Sequence, residues 1–184
     1  MRVRVIEARR GRVVGSLPGW AIALSALLLA SPDAALAACD PAAANNVTAT
    51  CTGTTVDQGP FANVGYGNNG ITNLNVTVVR GATVTGSFDG ILFDIGSVAN
   101  SGTITGGSYG IYATNTANVT NSGTITSNGS GISAVLANVT NSGTISGTSS
   151  AGIVGEAAIV TNSGTITGGQ NGISVITANV TNSG

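Results

Sequence analysis

The chain has few charged residues and contains neither histidine nor lysine. Of its 184 residues, 6 are Lys or Arg and 7 are Asp or Glu, so that charged residues make up 7%, against about 25% in a typical soluble domain. Five of the basic residues lie in the first twelve positions, and only Arg80 lies beyond them. Nucleic-acid binding through clustered basic residues, and catalysis or metal binding through His, are therefore excluded for the remainder.

Long apolar runs are also scarce, and the only marked one is near the N-terminus. An Arg-rich start is followed by an apolar stretch from Trp20 to Ala30, shorter than the roughly 20 residues that span a bilayer. Ala35-Leu36-Ala37 then provides small residues at the two positions that a signal peptidase requires. The pattern predicts a signal peptide over 1–37, cleaved between Ala37 and Ala38. We therefore expect export through the inner membrane.

The two cysteines, Cys39 and Cys51, follow directly after this segment. Export places them in an oxidising compartment, where two cysteines close in sequence usually form a disulfide. An alternative stays open, because Leu36-Ala37-Ala38-Cys39 also resembles a lipobox, in which Cys39 would carry a lipid. Pro32 and Asp33 separate the apolar run from Cys39 and favour ordinary cleavage and the disulfide.

The rest of the chain is an internal repeat of 20 to 21 residues, marked by three motifs in phase. Asn-Ser-Gly-Thr-Ile recurs from Asn100 onward and Gly-Ile from Gly70 onward, and Asn-Val-Thr occurs in phase with them at Asn118, Asn138 and Asn179. Within each unit, short stretches alternate apolar and polar residues, as β-strands with one buried face do. Gly and Asn between them suit corners, since they tolerate positive φ. The pattern thus predicts three short strands for each unit.

A unit of this size cannot bury its apolar face alone, but stacked copies can. The sequence predicts a right-handed parallel β-helix with coils about 4.8 Å apart. Three apolar columns form its predicted core: Ile104, Ile125, Ile145 and Ile166; Ile111, Ile132, Ile153 and Ile173; and Val119, Val139, Val160 and Val180. A column of stacked amides is predicted at Asn100, Asn121, Asn141, Asn162 and Asn182.

Other repeat folds and disorder are weaker interpretations. A leucine-rich repeat shares the period, but its leucine frame is absent, and the calcium-binding nonapeptide repeat lacks its Asp. A Gly-, Ser-, Thr- and Asn-rich composition is typical of disorder, yet disorder does not require Ile and Val to hold phase. The predicted organisation is a signal peptide at 1–37, an N-terminal cap at 38–69 and β-helix repeats at 70–184 that are incomplete at the C-terminus.

The ionisable residues give little indication of catalysis. Asp89 and Asp94 are the only local acidic pair, with Arg80 one coil earlier. On a β-helix such groups could line a sugar-cleaving groove, but the pair does not recur, and both are expected to be solvated. We therefore expect no enzyme, no cofactor and no metal. Phe88 and Tyr109 are predicted to share a column, with the aromatics filling wider N-terminal coils rather than forming an exposed stripe for sugars.

The signal segment, the Cys39…Cys51 start and the Asn-Ser-Gly-Thr-Ile and Gly-Ile repeats together resemble the passenger region of bacterial autotransporters (type V secreted proteins). The resemblance implies transit through the periplasm and display at the outer membrane and cell surface, or secretion, with the passenger acting as a stalk or adhesin. The implied partners are an outer-membrane β-barrel translocator and a host or cell-surface ligand. No barrel is evident, and the chain ends inside a repeat without a cap, which predicts a truncated protein whose exposed coil could self-associate.

Two alternatives to this function remain open at the level of sequence. One is a β-helical enzyme acting on polysaccharide, which would need several ionisable groups on adjacent coils. The other is a secreted filamentous protein that uses a separate transporter. The sequence downstream of Gly184 distinguishes the latter from an autotransporter passenger, because only the passenger would continue in frame into a barrel.

Overall fold

The computed structural model describes residues 38–184; the predicted signal peptide, with Ala37, lies outside them. The described chain consists of β-strands joined by turns. The strands are β1 (Cys39–Asp40), β2 (Thr48–Cys51), β3 (Thr54–Val56), β4 (Val64–Gly67), β5 (Thr72–Val78), β6 (Thr83–Gly86), β7 (Asp89–Asn100), β8 (Thr103–Gly106), β9 (Tyr109–Asn121), β10 (Thr124–Ser127), β11 (Ser130–Asn141), β12 (Thr144–Gly147), β13 (Ala151–Asn162), β14 (Thr165–Gly168) and β15 (Asn171–Asn182).

The strands stack into two sheets that run along the molecule, and the predicted parallel β-helix is confirmed. The larger sheet has the order β1-β2-β5-β7-β9-β11-β13-β15, with β4 also paired to β7, and the smaller has the order β14-β12-β10-β8-β6-β3. All pairs are parallel except that of β1 with β2. Each strand thus pairs with its counterpart in the next coil, as a solenoid requires.

The three segments predicted for each coil are present, but two of them usually join. In the first coil β3, β4 and β5 are separate strands, and β4 and β5 both pair with β7 of the next coil. From β7 onward one strand of 12 or 13 residues covers both segments. Register shifts between Phe93 and Ile95, and between Ala134 and Leu136, mark the corner where this strand passes from one face to the next.

The apolar side chains line up between coils as the columns predict. Ile104, Ile125, Ile145 and Ile166 are in register, as are the Ile111 and Val119 columns. All predicted core residues up to Val160 are buried. In the last described coil Ile166 and Ile173 are half-buried, and Val180 is 44% exposed, because no further described coil covers them.

The glycines of the repeats serve a purpose other than the predicted one. Every described glycine with positive φ lies at or before Gly81, so the expectation that corners exploit positive φ was wrong for the repeats from Asn100 onward. A Cβ at Gly123 would lie 2.1 Å from the Gly102 carbonyl oxygen, and one at Gly131 would lie 2.7 Å from both the Gly152 carbonyl oxygen and Ile145 Cγ2. Glycine is needed in these motifs because backbones of adjacent coils approach closely.

Parallel stacking begins inside the segment 38–69 predicted as a cap. Strands β2, β3 and β4 pair with β5, β6 and β7 respectively. Parallel pairing therefore begins at β2, before the first complete coil of β3, β4 and β5. Only β1 departs from the pattern, since it runs antiparallel to β2 at the outer edge of the larger sheet. An antiparallel strand at this position covers the edge that a parallel coil would leave unpaired.

Candidate functional site

The N-terminal end is closed by a buried disulfide and a partly buried hydrogen-bond cluster. Cys39 and Cys51, paired opposite each other on β1 and β2, form the disulfide and are almost fully buried. Gln58 fixes the start of the chain, because its Oε1 accepts from Cys39 N and its Nε2 donates to Cys39 O, both at 3.0 Å. Tyr66 donates to the Pro41 carbonyl at 2.6 Å. Burial, assisted by the charge of Asp40, raises the pKa of Tyr66 to about 12, so the phenol remains a donor at neutral pH.

The five predicted ladder asparagines form a continuous chain of amide hydrogen bonds inside the solenoid. Each Nδ2 donates to Oδ1 of the asparagine in the next coil, at 2.8, 2.7, 2.7 and 2.6 Å in chain order. Each Nδ2 also donates to the glycine carbonyl two residues later, as Asn141 does to Gly143 at 3.1 Å. The first four side chains are buried. Since each buried amide has both donors and its acceptor engaged, the ladder avoids the cost of unpaired polar groups.

The amide ladder lies in the same column as the disulfide. Strand pairing aligns Cys39, Cys51, Val78 and Asn100 in successive positions, and the ladder continues from Asn100. The same interior position of the solenoid therefore carries a disulfide at the N-terminal end, a valine in the next coil and hydrogen-bonded asparagines in the repeats. This succession is not visible in the repeat motif, because the coils before Asn100 lack the Asn-Ser-Gly sequence.

The two carboxylates considered for catalysis occupy different environments. Asp89, expected in a solvated turn, instead opens β7 and is 2% exposed, with Oδ1 buried and without a hydrogen-bond partner in the structure. Burial raises its pKa to about 6. Asp94 lies within β7, at the register shift, and accepts from Thr114 Oγ1 at 2.7 Å. The expectation of two solvated acids was therefore wrong, because the close stacking of β4, β7 and β9 covers Asp89.

The aromatic residues divide between core and surface. Tyr66 and Phe93 are fully buried in the N-terminal coils, whereas Phe61 and Phe88 are 56% and 49% exposed. Tyr109 and Tyr112 are half-buried and contact each other with ring centroids 4.9 Å apart. Phe88 and Tyr109 do not share a column as predicted, because Tyr109 pairs with Asp89. Phe88 lies two residues before Gly90 and Tyr109 one residue before Gly110, so the two rings are one residue out of register.

A shallow groove crosses the outward face of the larger sheet over strands β5, β7, β9, β11 and β13. It has a volume of about 460 Å³, and its walls are two rows of side chains that carry amides, hydroxyls and methyl groups. In one row Asn138 Nδ2 donates to Asn118 Oδ1 at 2.9 Å. Ile159 takes the place of asparagine in this row and is 54% exposed, and Asn179 follows it on β15. The Asn-Val-Thr motif marks this groove in the sequence, although its place on an outward face follows only from strand pairing.

Two kinds of feature are absent from residues 38–184. No helix in this part of the chain is long and apolar enough to cross a membrane. Within the same residues, no group of three or more His, Cys, Asp or Glu side chains is placed to hold a metal ion.

No family model, curated protein or solved structure matches the chain.

Proposed function

We propose that the chain is the passenger region of an exported, surface-displayed protein of the autotransporter type, acting as a stalk and an adhesin-like interaction module. The observation that supports this best is the unbroken stacking of coils from β2 to β15. Because each coil contacts only its neighbours, a solenoid lengthens by one coil per repeat without changing its cross-section. Such a geometry suits a spacer that holds a surface away from the cell.

The N-terminal end supports the export part of the proposal. A fully buried disulfide between Cys39 and Cys51 suits an oxidising compartment such as the periplasm or the cell exterior. It follows two residues after the predicted cleavage site at Ala37, so that it would close the end of the mature chain. With its sulfur bonded to Cys51, Cys39 would not be available as the site of a lipid.

The outward faces support the interaction part of the proposal. The groove over β5 to β13 presents uncharged amides and hydroxyls, which suits a neutral partner more than a charged polymer. Self-association through a solenoid end and docking with an outer-membrane translocator are included in the proposal.

Export is tested first by the mass and location of the protein in the source bacterium. Cells are fractionated, the chain is recovered with an antibody to the repeats, and its N-terminus is determined by mass spectrometry with and without reductant. We expect a chain that begins at Ala38 with Cys39 and Cys51 oxidised. A diacylglyceryl mass on Cys39, or an unprocessed chain in the cytoplasm, would contradict the proposal.

Surface display needs a separate measurement. Intact cells are treated with an external protease, and the repeats are followed with the same antibody; permeabilised cells and a periplasmic marker serve as controls. We expect the repeats to be accessible while the marker remains protected. Protection of both would place the chain in the periplasm. Reading the gene downstream of Gly184 then separates an attached translocator from a separate transporter.

A further inference from the structure

The outward face of the smaller sheet is a regular array of hydroxyl groups. Strands β6, β8, β10, β12 and β14 are four residues long, and their first and third side chains face outward while the second is covered. All but one of the outward residues are threonine. We call this set the threonine array: Thr83, Thr85, Thr103, Thr105, Thr124, Thr126, Thr144, Ser146, Thr165 and Thr167.

The array is a two-dimensional lattice because its strands pair without a register shift. Thr103, Thr124, Thr144 and Thr165 face one another across successive coils, and the second row does the same. Measured on the backbone, neighbouring residues lie about 4.8 Å apart between strands and about 6.6 Å apart along a strand. These two intervals are of the same order as the oxygen repeats on a prism face of hexagonal ice.

The hydroxyls of the array are free to bind water. Thr105 Oγ1 lies 3.5 Å from Thr126 Oγ1, and Thr167 donates to Ser146 at 3.2 Å; the other hydroxyls of the array bond to no group of the described chain. Threonine has a restricted χ1 in strands, so the position of each hydroxyl and methyl is fixed by the backbone. Each hydroxyl can donate one hydrogen bond and accept others, while the methyl groups between them limit the orientations of adjacent water.

Preference for β-branched residues in strands does not by itself produce this arrangement. Val and Ile are as well suited to strands as Thr, yet neither occurs among the outward residues of these five strands. In β3, at the edge of the same sheet, Val56 takes the place of threonine in one row. The outward face of the larger sheet, which has the same coil repeat, is irregular: Ala99 and Ile159 interrupt its rows, and its amides bond to one another, as Asn138 does to Asn118. The uniformity is therefore particular to one face.

Charge and ring content indicate which partner fits. None of the five strands carries a charged side chain, so the array offers nothing to a charged polymer. They also carry no aromatic side chain, the group on which sugar rings stack. An uncharged, periodic hydroxyl lattice complements an uncharged, periodic surface of ordered water.

We propose that the threonine array binds ice, by holding a layer of water at the repeats of the ice surface. The proposal is independent of export and display, since it depends only on the folded solenoid. It assigns to the threonine array a ligand different from the partner proposed for the groove on the larger sheet.

The test compares one substitution on each face of the same coil. Protein purified from cells expressing the full chain is assayed for inhibition of ice recrystallisation and for shaping of a single ice crystal. The parent is expected to be active in both assays. Thr126→Lys, in the middle of the array, places a long charged side chain in the lattice and should abolish both activities. Thr140→Lys, on the outward face of the larger sheet, should leave them unchanged.

Circular dichroism and a thermal scan establish that each variant is folded. Should Thr126→Lys fail to fold, Thr105→Asn interrupts the hydroxyl repeat without adding charge and should give the same loss. An inactive parent, or equal loss in Thr126→Lys and Thr140→Lys, would overturn the proposal. Sedimentation of the parent with crystalline cellulose, without any effect on ice, would also overturn it and assign the array to a polysaccharide surface.

Discussion

The first coil and the later repeats build the same solenoid by different means. Paired positions lie 25 to 29 residues apart where β2, β3 and β4 pair with the next coil, as Val64 and Asp89 do, and 20 or 21 residues apart in the amide ladder. Every described residue with positive φ lies at or before Gly81. The first coil thus depends on particular backbone conformations, whereas the repeats depend on close stacking of identical residues.

The interior follows the same division. The N-terminal coils bury large and varied side chains, among them Tyr66, Leu74 and Phe93, together with the disulfide. The repeats bury Ile, Val, Ala and Asn in fixed columns. A terminal coil lacks a neighbour on one side, so it needs cross-links and bulk within itself. An internal coil gains its stability from two neighbours, which favours side chains that pack against their own copies.

Loss of the disulfide should produce the largest effect, confined to the N-terminal region. In Cys39→Ser with Cys51→Ser, the free energy of unfolding of the first coil should fall by about 3 kcal/mol, since the bond closes a short loop. Hydrogen exchange should accelerate in β1 and β2 and remain unchanged in β11 and β13. Equal acceleration throughout would show that the two regions unfold as one unit, and the distinction between them would fail.

Replacing one ladder asparagine by valine tests whether an apolar side chain can take the place of a hydrogen-bonded amide in this column. Asn141→Val introduces the residue found at position 78 of the same column, and it removes the bonds to Asn121, to Asn162 and to the Gly143 carbonyl. We expect a loss of about 3 kcal/mol, at roughly 1 kcal/mol per hydrogen bond. Urea denaturation measures it. Asn138→Val, whose amide bonds to Asn118 on the outward face, is the matched control and should cost less.

Asp89 should make the stability of the N-terminal coils depend on pH. Its folded pKa of about 6 lies above the ordinary value of 3.8, so between these values the folded state binds more protons than the unfolded state. Stability should therefore fall as pH rises from about 4 to about 6 and stay low above, by up to about 3 kcal/mol in all. Asp89→Asn should remove this dependence. A slope that persists in the variant would assign it to another group.

A smaller effect is expected at Gly81, which has φ +82 and open space around its Cα. Gly81→Ala should cost about 1 kcal/mol, because only the left-handed backbone opposes the new Cβ. Gly81→Asn should cost less, since Asn tolerates this region. Thermal unfolding of both variants measures the difference. Equal losses would indicate that a contact of the side chain, rather than φ, limits this position.

Much of the fold could be predicted because equivalent residues of successive repeats make equivalent contacts. Equivalent residues of successive coils have the same surroundings. The Ile104, Ile111 and Val119 columns therefore follow from the period and from strand alternation alone. The prediction is weaker before Asn100, where coil length varies. There Asp89 was placed in solvent and Phe88 beside Tyr109, since no local signal shows how many residues each corner uses.

The sequence by itself determined the period, the strand segments and the side chains that stack, because strand alternation and exact repetition are local properties of the chain. Only the tertiary structure decided how those segments meet. It showed that glycine in the repeats accommodates the approach of adjacent backbones, that Asp89 is buried, and that disulfide, valine and amide ladder share one column. Each of these depends on distances between residues about a coil apart, and such distances are set by packing across coils.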